Sequence, residues 1–173
     1  MRCRFGGLSL VFRQGLSPHA QLLAIGIPKA RERVMSKMIF VSLPVTDLKT
    51  SMAFYESIGF KNNPQFTDET AACMVWSETI NFMLLTHAKW RTFTSRPIPP
   101  KTSSEVMLAL SCDSRDAVDV MNGAAAANGG TADINPIEDH GFMYGRDFAD
   151  PDGHALGAMW MDTSAISSGD RAG

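Results

Sequence analysis

The sequence predicts an α+β fold in which two tandem βαβββ modules form a cupped mixed sheet. Three observations support this prediction. Two segments repeat the order strand, helix, three strands; residues suited to capping precede each helix; and glycine stands where each helix ends. A chain of 173 residues can bury one core of its own. This length excludes two large domains.

The first module is expected at about 38–86. An apolar β-type run covers 38–45 and is followed by Thr46 and Asp47, which are candidate helix caps. Apolar residues then recur at helical spacing as far as Gly59, which suits a left-handed C-cap. Three further strands complete the module, and they are predicted at 64–67, 71–76 and 80–85.

The second module is expected at about 105–162 and repeats the same order. A strand at 106–111 leads to Asp113 and Ser114 as caps, and a helix follows that ends at 128–130. This helix is expected to be about one turn longer than the first. Three strands then follow, at 131–134, 142–149 and 155–161, with a turn at 150–153 before the last of them.

The linker between the modules, 87–104, is long and rich in Pro, Ser and Thr. It is also basic, through Lys89, Arg91, Arg96 and Lys101. Two interpretations remain open for this segment: a mobile lid over the cleft, or a plain surface crossover.

The two ends of the chain flank the predicted domain, which covers 37–162. Residues 1–36 have the composition of a disordered or targeting-like extension, and 163–173 that of a flexible tail. The first 34 residues contain six basic residues and one acidic residue. A disordered tail, or a start assigned too far upstream, is the preferred interpretation, and it predicts a cytoplasmic protein. A presequence would instead predict an organelle.

The rest of the chain contains ten basic and seventeen acidic residues, and this acidic balance argues against nucleic acid as a partner. Charged residues, Gly or Pro interrupt every apolar run, so the sequence predicts no membrane span. The three cysteines are Cys3, Cys73 and Cys112. They have no metal-ligand spacing and are expected to be free thiols in a reducing compartment.

Two segments carry a resemblance to a known family: FVSLPVTDLKTSMAFYESIGF at 40–60 and DHGFMYGRDFADPDGHALGAMWMD at 139–162. Taken together and in this order, they resemble the vicinal oxygen chelate superfamily, which includes glyoxalases, extradiol dioxygenases and bleomycin or fosfomycin resistance proteins. The resemblance covers about 37–162. It implies the glyoxalase/bleomycin-resistance/dioxygenase fold, and it implies a homodimer, as in many relatives.

The resemblance also implies four metal-ligand positions, which are normally His, Glu or Gln. In this chain they fall on Phe40, Met83, Val106 and Gly157, none of which can hold a divalent ion. No cofactor is therefore predicted, and a divalent metal is disfavoured. A displaced metal site would have to use other side chains, namely Glu138, Asp139, His140, Asp147, Asp150 and Asp152.

Without a metal, the inner cup is judged as a cavity for a small apolar or aromatic ligand. The residues expected to line it are Phe40, Trp76, Met83, Met107, Tyr144, Arg146, Met159 and Trp160. The same side chains would also suit an ordinary core or a dimer interface. The register of the last hairpin decides whether Arg146 or Asp147 faces the cleft.

The only candidates for catalysis are His140 and Tyr144, as acid or base groups. His154, directly after the turn, is expected to be exposed. The sequence contains no Ser-His-Asp or Cys-His arrangement and no glycine-rich phosphate loop.

Three functions follow from this pattern. The first is metal-independent binding of a small molecule, as in the resistance proteins. The alternative is an enzyme like a lactoylglutathione lyase or a dioxygenase, with a displaced metal or an acid/base site. A third is a non-catalytic dimeric interaction module.

Overall fold

The computed structural model of the chain describes residues 37–164. The predicted extension at 1–36 and most of the predicted tail lie outside the described residues. Within the described part, the fold consists of two βαβββ modules joined by a linker. No helix in this part is long and apolar enough to cross a membrane.

The first module has one helix and four strands. They are β1 (Ile39–Val45), α1 (Leu48–Ser57), β2 (Lys61–Asn63), β3 (Ala71–Val75) and β4 (Ile80–Thr86). Strand β1 pairs in parallel with β4, and antiparallel pairing continues from β4 to β3 and from β3 to β2. The strand order β1-β4-β3-β2 leaves β1 at one edge of the sheet.

The linker begins with α2 (His87–Phe93), and the second module follows. Its elements are β5 (Met107–Ser111), α3 (Arg115–Ala127), β6 (Thr131–Ala132), β7 (Glu138–Asp139), β8 (Met143–Ala149) and β9 (Ala155–Met161). The order β5-β9-β8-β6 repeats that of the first module, with β5 and β9 parallel and β7 added beside β8. The predicted duplication is therefore confirmed, and β5 is the edge strand equivalent to β1.

Each module helix begins and ends as the sequence predicts. The side chain of Asp47 accepts a hydrogen bond of 2.8 Å from Thr50, and that of Ser114 accepts one of 3.1 Å from Ala117. Gly59 and Gly129 follow the helices with φ angles of 108° and 91°, which glycine adopts without strain. Helix α3 has 13 residues against 10 in α1, so it is about one turn longer, as expected.

One apolar core runs through both modules, between the helices and the sheets. The rings of Phe54 on α1 and Phe148 on β8 lie 6.3 Å apart, and Leu84 and Leu156 are fully buried beside them. Burial of these side chains is the main contribution to stability. The sheet face that packs against α1 or α3 is called the helix face below, and the opposite face is called the cleft face.

Three local expectations are corrected by the structure. The strand predicted at 64–67 lies earlier, at Lys61–Asn63, and Pro64–Phe66 forms one 3-10 turn because proline has no N–H for a strand ladder. The strand predicted at 131–134 stops at Ala132, since Asp133 has a φ of 53°. The start of the linker is helical, and Thr86 caps α2.

The turn after β8 links the two modules. The carboxylate of Asp152 accepts hydrogen bonds from the backbone and hydroxyl of Thr46 and from the hydroxyl of Ser51, at 3.0, 2.5 and 3.2 Å. The Nε2 atom of His154 donates to the carbonyl of Pro44 at 2.9 Å. The expectation that His154 is exposed was wrong, because this contact holds its half-buried ring against β1.

Candidate functional site

The register of the β8–β9 hairpin decides which side chains face the cleft. Phe148 pairs with Leu156, and both are fully buried on the helix face. Side chains alternate along a strand, so Arg146 and Tyr144 share that face. Asp147, which pairs with Gly157, lies on the cleft face. The question that the sequence left open is answered in favour of Asp147.

Tyr144 and Arg146 bind carboxylates on and beside α3. The Tyr144 hydroxyl donates to Asp119 at 2.8 Å, and the Arg146 guanidinium pairs with Asp119 at 2.8 Å and with Asp133 at 2.7 Å. The hydrogen bond to Asp119 raises the pKa of Tyr144, and those from Arg146 lower the pKa of Asp119 and of Asp133. A tyrosine whose pKa is raised is a poor base at neutral pH.

Two tryptophans from the predicted pocket also lie on the helix face. The Trp76 ring packs 5.0 Å from that of Phe60, and the Arg115 guanidinium lies 5.5 Å from the Trp160 ring. The prediction that Trp76, Tyr144, Arg146 and Trp160 line the cleft is therefore corrected. In each strand the alternation of side chains places them toward the helix.

The other four predicted pocket residues, Phe40, Met83, Met107 and Met159, alternate with core residues and so lie on the cleft face. Phe40 and Met107 are 57% and 51% exposed, so neither is enclosed by the described residues. None of the four lines the cavity described below.

The positions of the implied metal ligands do not fit a metal. A Cβ atom at Gly157 would lie 2.5 Å from a carboxylate oxygen of Asp147, so a larger side chain there has to displace that carboxylate. Phe40, Met83 and Val106 have no atom that binds a divalent ion. Asp147 therefore occupies the space above β9 into which a ligand at position 157 would project.

The carboxylates of a displaced metal site are not gathered either. Asp139 pairs with Arg115 at 2.6 Å, Asp147 accepts from Asn135 at 2.8 Å, and Asp150 accepts from Tyr55 at 3.0 Å. Within residues 37–164, no three His, Cys, Asp or Glu side chains converge to form a metal site. These acidic groups act as structural hydrogen-bond acceptors.

The remaining candidates for chemistry are also dispersed. His140 is exposed, and its backbone N–H donates to the carbonyl of Met143 at 2.9 Å. Cys73 and Cys112 are free, and burial raises the pKa of both thiols, which keeps them protonated at neutral pH. His140 and Tyr144 do not line the cavity described next.

A cavity of about 380 Å³ lies between the linker and the ends of strands from both modules. Its apolar wall is formed by Leu43, Pro44, Trp90, Pro97, Pro99, Val106, Leu108 and Ala155. Polar groups at the cavity include Ser42, Arg96, Glu105 and His154. A volume above about 300 Å³, with mostly apolar walls and a few polar groups, is typical of small-molecule sites.

The linker is held over this cavity by contacts with the turn after β8. Lys101 donates from Nζ to the carbonyl of Pro151 at 2.6 Å and lies 3.7 Å from the Asp152 carboxylate. The Lys101 backbone packs so closely on Gly153 that a Cβ there would collide with it. Sequence reasoning missed this site, and the length and composition of the linker were the only signals that could have found it.

Comparisons with known proteins give the fold class. No protein-family model matches the sequence, and no curated protein matches it. Among solved structures, the chain is similar to a glyoxalase/bleomycin resistance protein/dioxygenase family enzyme from Burkholderia phytofirmans, with a TM-score of 0.62 and 17% identity over 73% of this chain and 99% of that one.

Two further solved structures agree. One is a glyoxylase/bleomycin resistance protein/dioxygenase domain from a Frankia species, with a TM-score of 0.54 and 25% identity over 73% of this chain and 98% of that one. The other is a hypothetical protein from S. aureus, with a TM-score of 0.61 and 24% identity over 73% and 95%. The chain therefore has the glyoxalase/bleomycin-resistance/dioxygenase fold, and the resemblance to the vicinal oxygen chelate superfamily is confirmed at that level.

Proposed function

We propose that this protein binds a small apolar or aromatic molecule without the metal that the superfamily normally uses. The observation that carries the proposal is the cavity of about 380 Å³ under the linker, with its predominantly apolar wall. In this proposal the ligand binds under the linker between the modules, and not at the cleft residues that the sequence favoured.

The side chains at the four ligand positions support the metal-free part of the proposal. A glyoxalase or dioxygenase reaction of the usual type needs a divalent ion to polarise oxygen atoms of the substrate. Apolar side chains at three of these positions, and the Asp147 carboxylate above Gly157, favour binding over that chemistry. The free thiols of Cys73 and Cys112 support a reducing compartment, and we propose the cytoplasm.

The proposal is tested with N-phenyl-1-naphthylamine, a neutral probe whose fluorescence rises in apolar sites. We expect saturable binding that is unchanged after dialysis against EDTA. Val106→Asp places a charge in the cavity wall and is expected to weaken binding at least fivefold, by about 1 kcal/mol. Val120→Asp on α3 is the matched control, since Val120 is 71% exposed and lies outside the cavity.

Two results would contradict the proposal. One is the lack of saturable binding, and the other is equal binding by the two aspartate variants. Loss of binding after EDTA treatment, restored by a divalent ion, would instead favour the alternative of an enzyme with a displaced metal.

A second candidate function is that of a dimeric interaction module, and exposed apolar residues at the sheet edges favour it. Ile39 and Phe40 on β1 are 59% and 57% exposed, and Met107 on β5 is 51% exposed. Because β1 and β5 are equivalent edges of the two repeats, a second copy can cover both with one two-fold arrangement. We therefore propose a homodimer as well.

Sedimentation of the wild type and of a Phe40→Asp/Met107→Asp variant tests the homodimer. We expect a dimer that becomes a folded monomer in the variant, since charges on edge strands prevent pairing between chains. A wild type that is monomeric at micromolar concentration would exclude this arrangement.

A further inference from the structure

A second hollow, of about 630 Å³, lies on the surface of the linker and has a cationic lining. The polar side chains at this hollow belong to His87, Arg91, Thr94, Ser95 and Arg96. None of its lining residues is acidic. Arginine guanidinium groups and hydroxyls are donors that suit carboxylate and phosphate oxygens.

The two arginines of this hollow differ from the other two arginines of the described residues, because no carboxylate pairs with them. In the described part of the chain, Lys101, Arg115 and Arg146 each pair with an aspartate, but Arg91 and Arg96 make no ion pair. Both are exposed. Both arginines line the same hollow, so an anion bound there can accept hydrogen bonds from both guanidinium groups.

The cationic hollow adjoins the apolar cavity. Thr94, Arg96, Pro97 and Pro99 line both of them, so a single stretch of the linker forms the wall that they share. A molecule whose apolar part occupies the cavity can therefore present a polar end to Arg96. The acidic group at the cavity, Glu105, disfavours an anion on the cavity side.

We infer that the ligand is an amphipathic anion, an apolar or aromatic body with one carboxylate or phosphate group. This inference rests on the proposed function and adds to it the anionic group of the ligand. The apolar body fills the cavity, and Arg96 and Arg91 bind the anionic group. The hydroxyls of Thr94 and Ser95 supply further donors.

Two matched probes separate this inference from the proposed function. The first is 2-naphthoate, and the second is 2-naphthalenemethanol, which has the same ring system without the charge. Calorimetry at low salt is expected to show the carboxylate binding about tenfold more tightly, because charge-assisted hydrogen bonds to arginine are stronger than neutral ones. This preference is expected to shrink as ionic strength rises.

Substitution of each arginine tests whether these two residues cause the preference for 2-naphthoate over the alcohol. Arg91→Gln and Arg96→Gln are each expected to reduce affinity for 2-naphthoate by roughly threefold to tenfold, and to leave affinity for the alcohol unchanged. Lys61→Gln serves as the control. It removes an exposed cation on β2, which lines neither the cationic hollow nor the apolar cavity. It is expected to change neither affinity by more than about twofold.

Three results would overturn the inference. If the alcohol binds and the carboxylate binds no more tightly, the anionic part is wrong and the proposed function stands. If the carboxylate is preferred but both arginine variants behave like Lys61→Gln, the anion is bound elsewhere. If neither probe binds, the proposed function and the inference both fail.

Discussion

The hydroxyl of Tyr55 on α1 donates a hydrogen bond of 3.0 Å to the Asp150 carboxylate in the turn after β8. Both side chains are buried, and burial is the main reason why the pKa of each is raised. The other oxygen of Asp150 accepts from the backbone N–H groups of Asp152 and His154, at 2.9 and 2.8 Å. This one carboxylate therefore shapes the turn and joins the two modules.

Tyr55→Phe is expected to destabilise the protein by about 1–2 kcal/mol without changing its fold. The variant keeps the ring in the core but leaves one oxygen of a buried carboxylate without its donor. Urea unfolding at pH 7, followed by circular dichroism, gives the free energy of unfolding. Tyr144→Phe is the control, because its hydroxyl binds a carboxylate that solvent reaches, and a smaller loss is expected. Equal decreases in the free energy of unfolding would mean that the buried Tyr55–Asp150 hydrogen bond stabilises the protein no more than the exposed one does.

Asp150→Asn is expected to cost much less than Asp150→Ala. An asparagine oxygen can still accept from the two turn N–H groups, and removal of the charge offsets part of the loss, since burial makes ionisation unfavourable here. Alanine leaves the buried Tyr55 hydroxyl and the two half-buried turn N–H groups without their acceptor, which costs about 2–4 kcal/mol. Thermal unfolding of both variants measures the difference. Similar losses would contradict the assigned role of the acceptor.

The ion pairs of Arg146 predict a loss of stability in acid. The pKa values of Asp119 and Asp133 are lowered from 3.8 in the folded protein, mainly by hydrogen bonds from Arg146. The unfolded state therefore binds more protons, so their stabilising contribution is complete well above pH 3.8 and is lost as the pH falls below it.

Arg146→Met removes this source of pH dependence. We expect the variant to be less stable than the wild type at pH 6, and we expect this difference to be smaller at about pH 3, below the ordinary carboxyl pKa of 3.8, because the unfolded state then binds protons that the folded wild type does not. Urea unfolding at both pH values measures this. A constant difference between the two proteins would show that Arg146 acts through packing instead of charge.

Local patterns were enough to predict the two module helices and most of the strands. The caps at Asp47 and Ser114 and the glycines after each helix depend on neighbours within a few residues, and the structure shows all of them. The cleft face was harder to predict. It depends on the register of the β8–β9 hairpin, which the five-residue connection 150–154 sets and which decided the positions of Tyr144 and Arg146.

The cavity could not have been predicted from the sequence, because it depends on packing between distant segments. Its wall combines residues of β1, the linker and β9. The linker is held in place by its own residue Lys101, which donates a hydrogen bond to the turn after β8. The spacing of apolar residues along the sequence does not indicate contacts between such distant segments. The basic composition of the linker was visible in the sequence, but only the structure shows that Arg115 and Arg146 pair with aspartates while the two arginines of the linker do not.

The contact between Asp147 and Gly157 gives the last prediction. Gly157→Ala is expected to destabilise the protein by roughly 0.5–1.5 kcal/mol, because the new Cβ would lie 2.5 Å from the Asp147 carboxylate and would push it away from Asn135. Asp147→Ala opens this space, so in the double variant the Gly157→Ala change is expected to cost almost nothing. Urea unfolding of the four proteins measures the coupling.

Gly145→Ala on the neighbouring strand is the control. Its Cβ would meet the carbonyl of Ala158 at 3.7 Å, an ordinary contact, so little change is expected. Additive losses in the double variant would contradict the prediction, since they would mean that the Asp147 carboxylate does not fill the space above Gly157. Coupling of the expected sign would mean that a glutamate at position 157, the ligand type of the superfamily, competes with Asp147 for one space. A metal site could then not be restored here without also replacing Asp147.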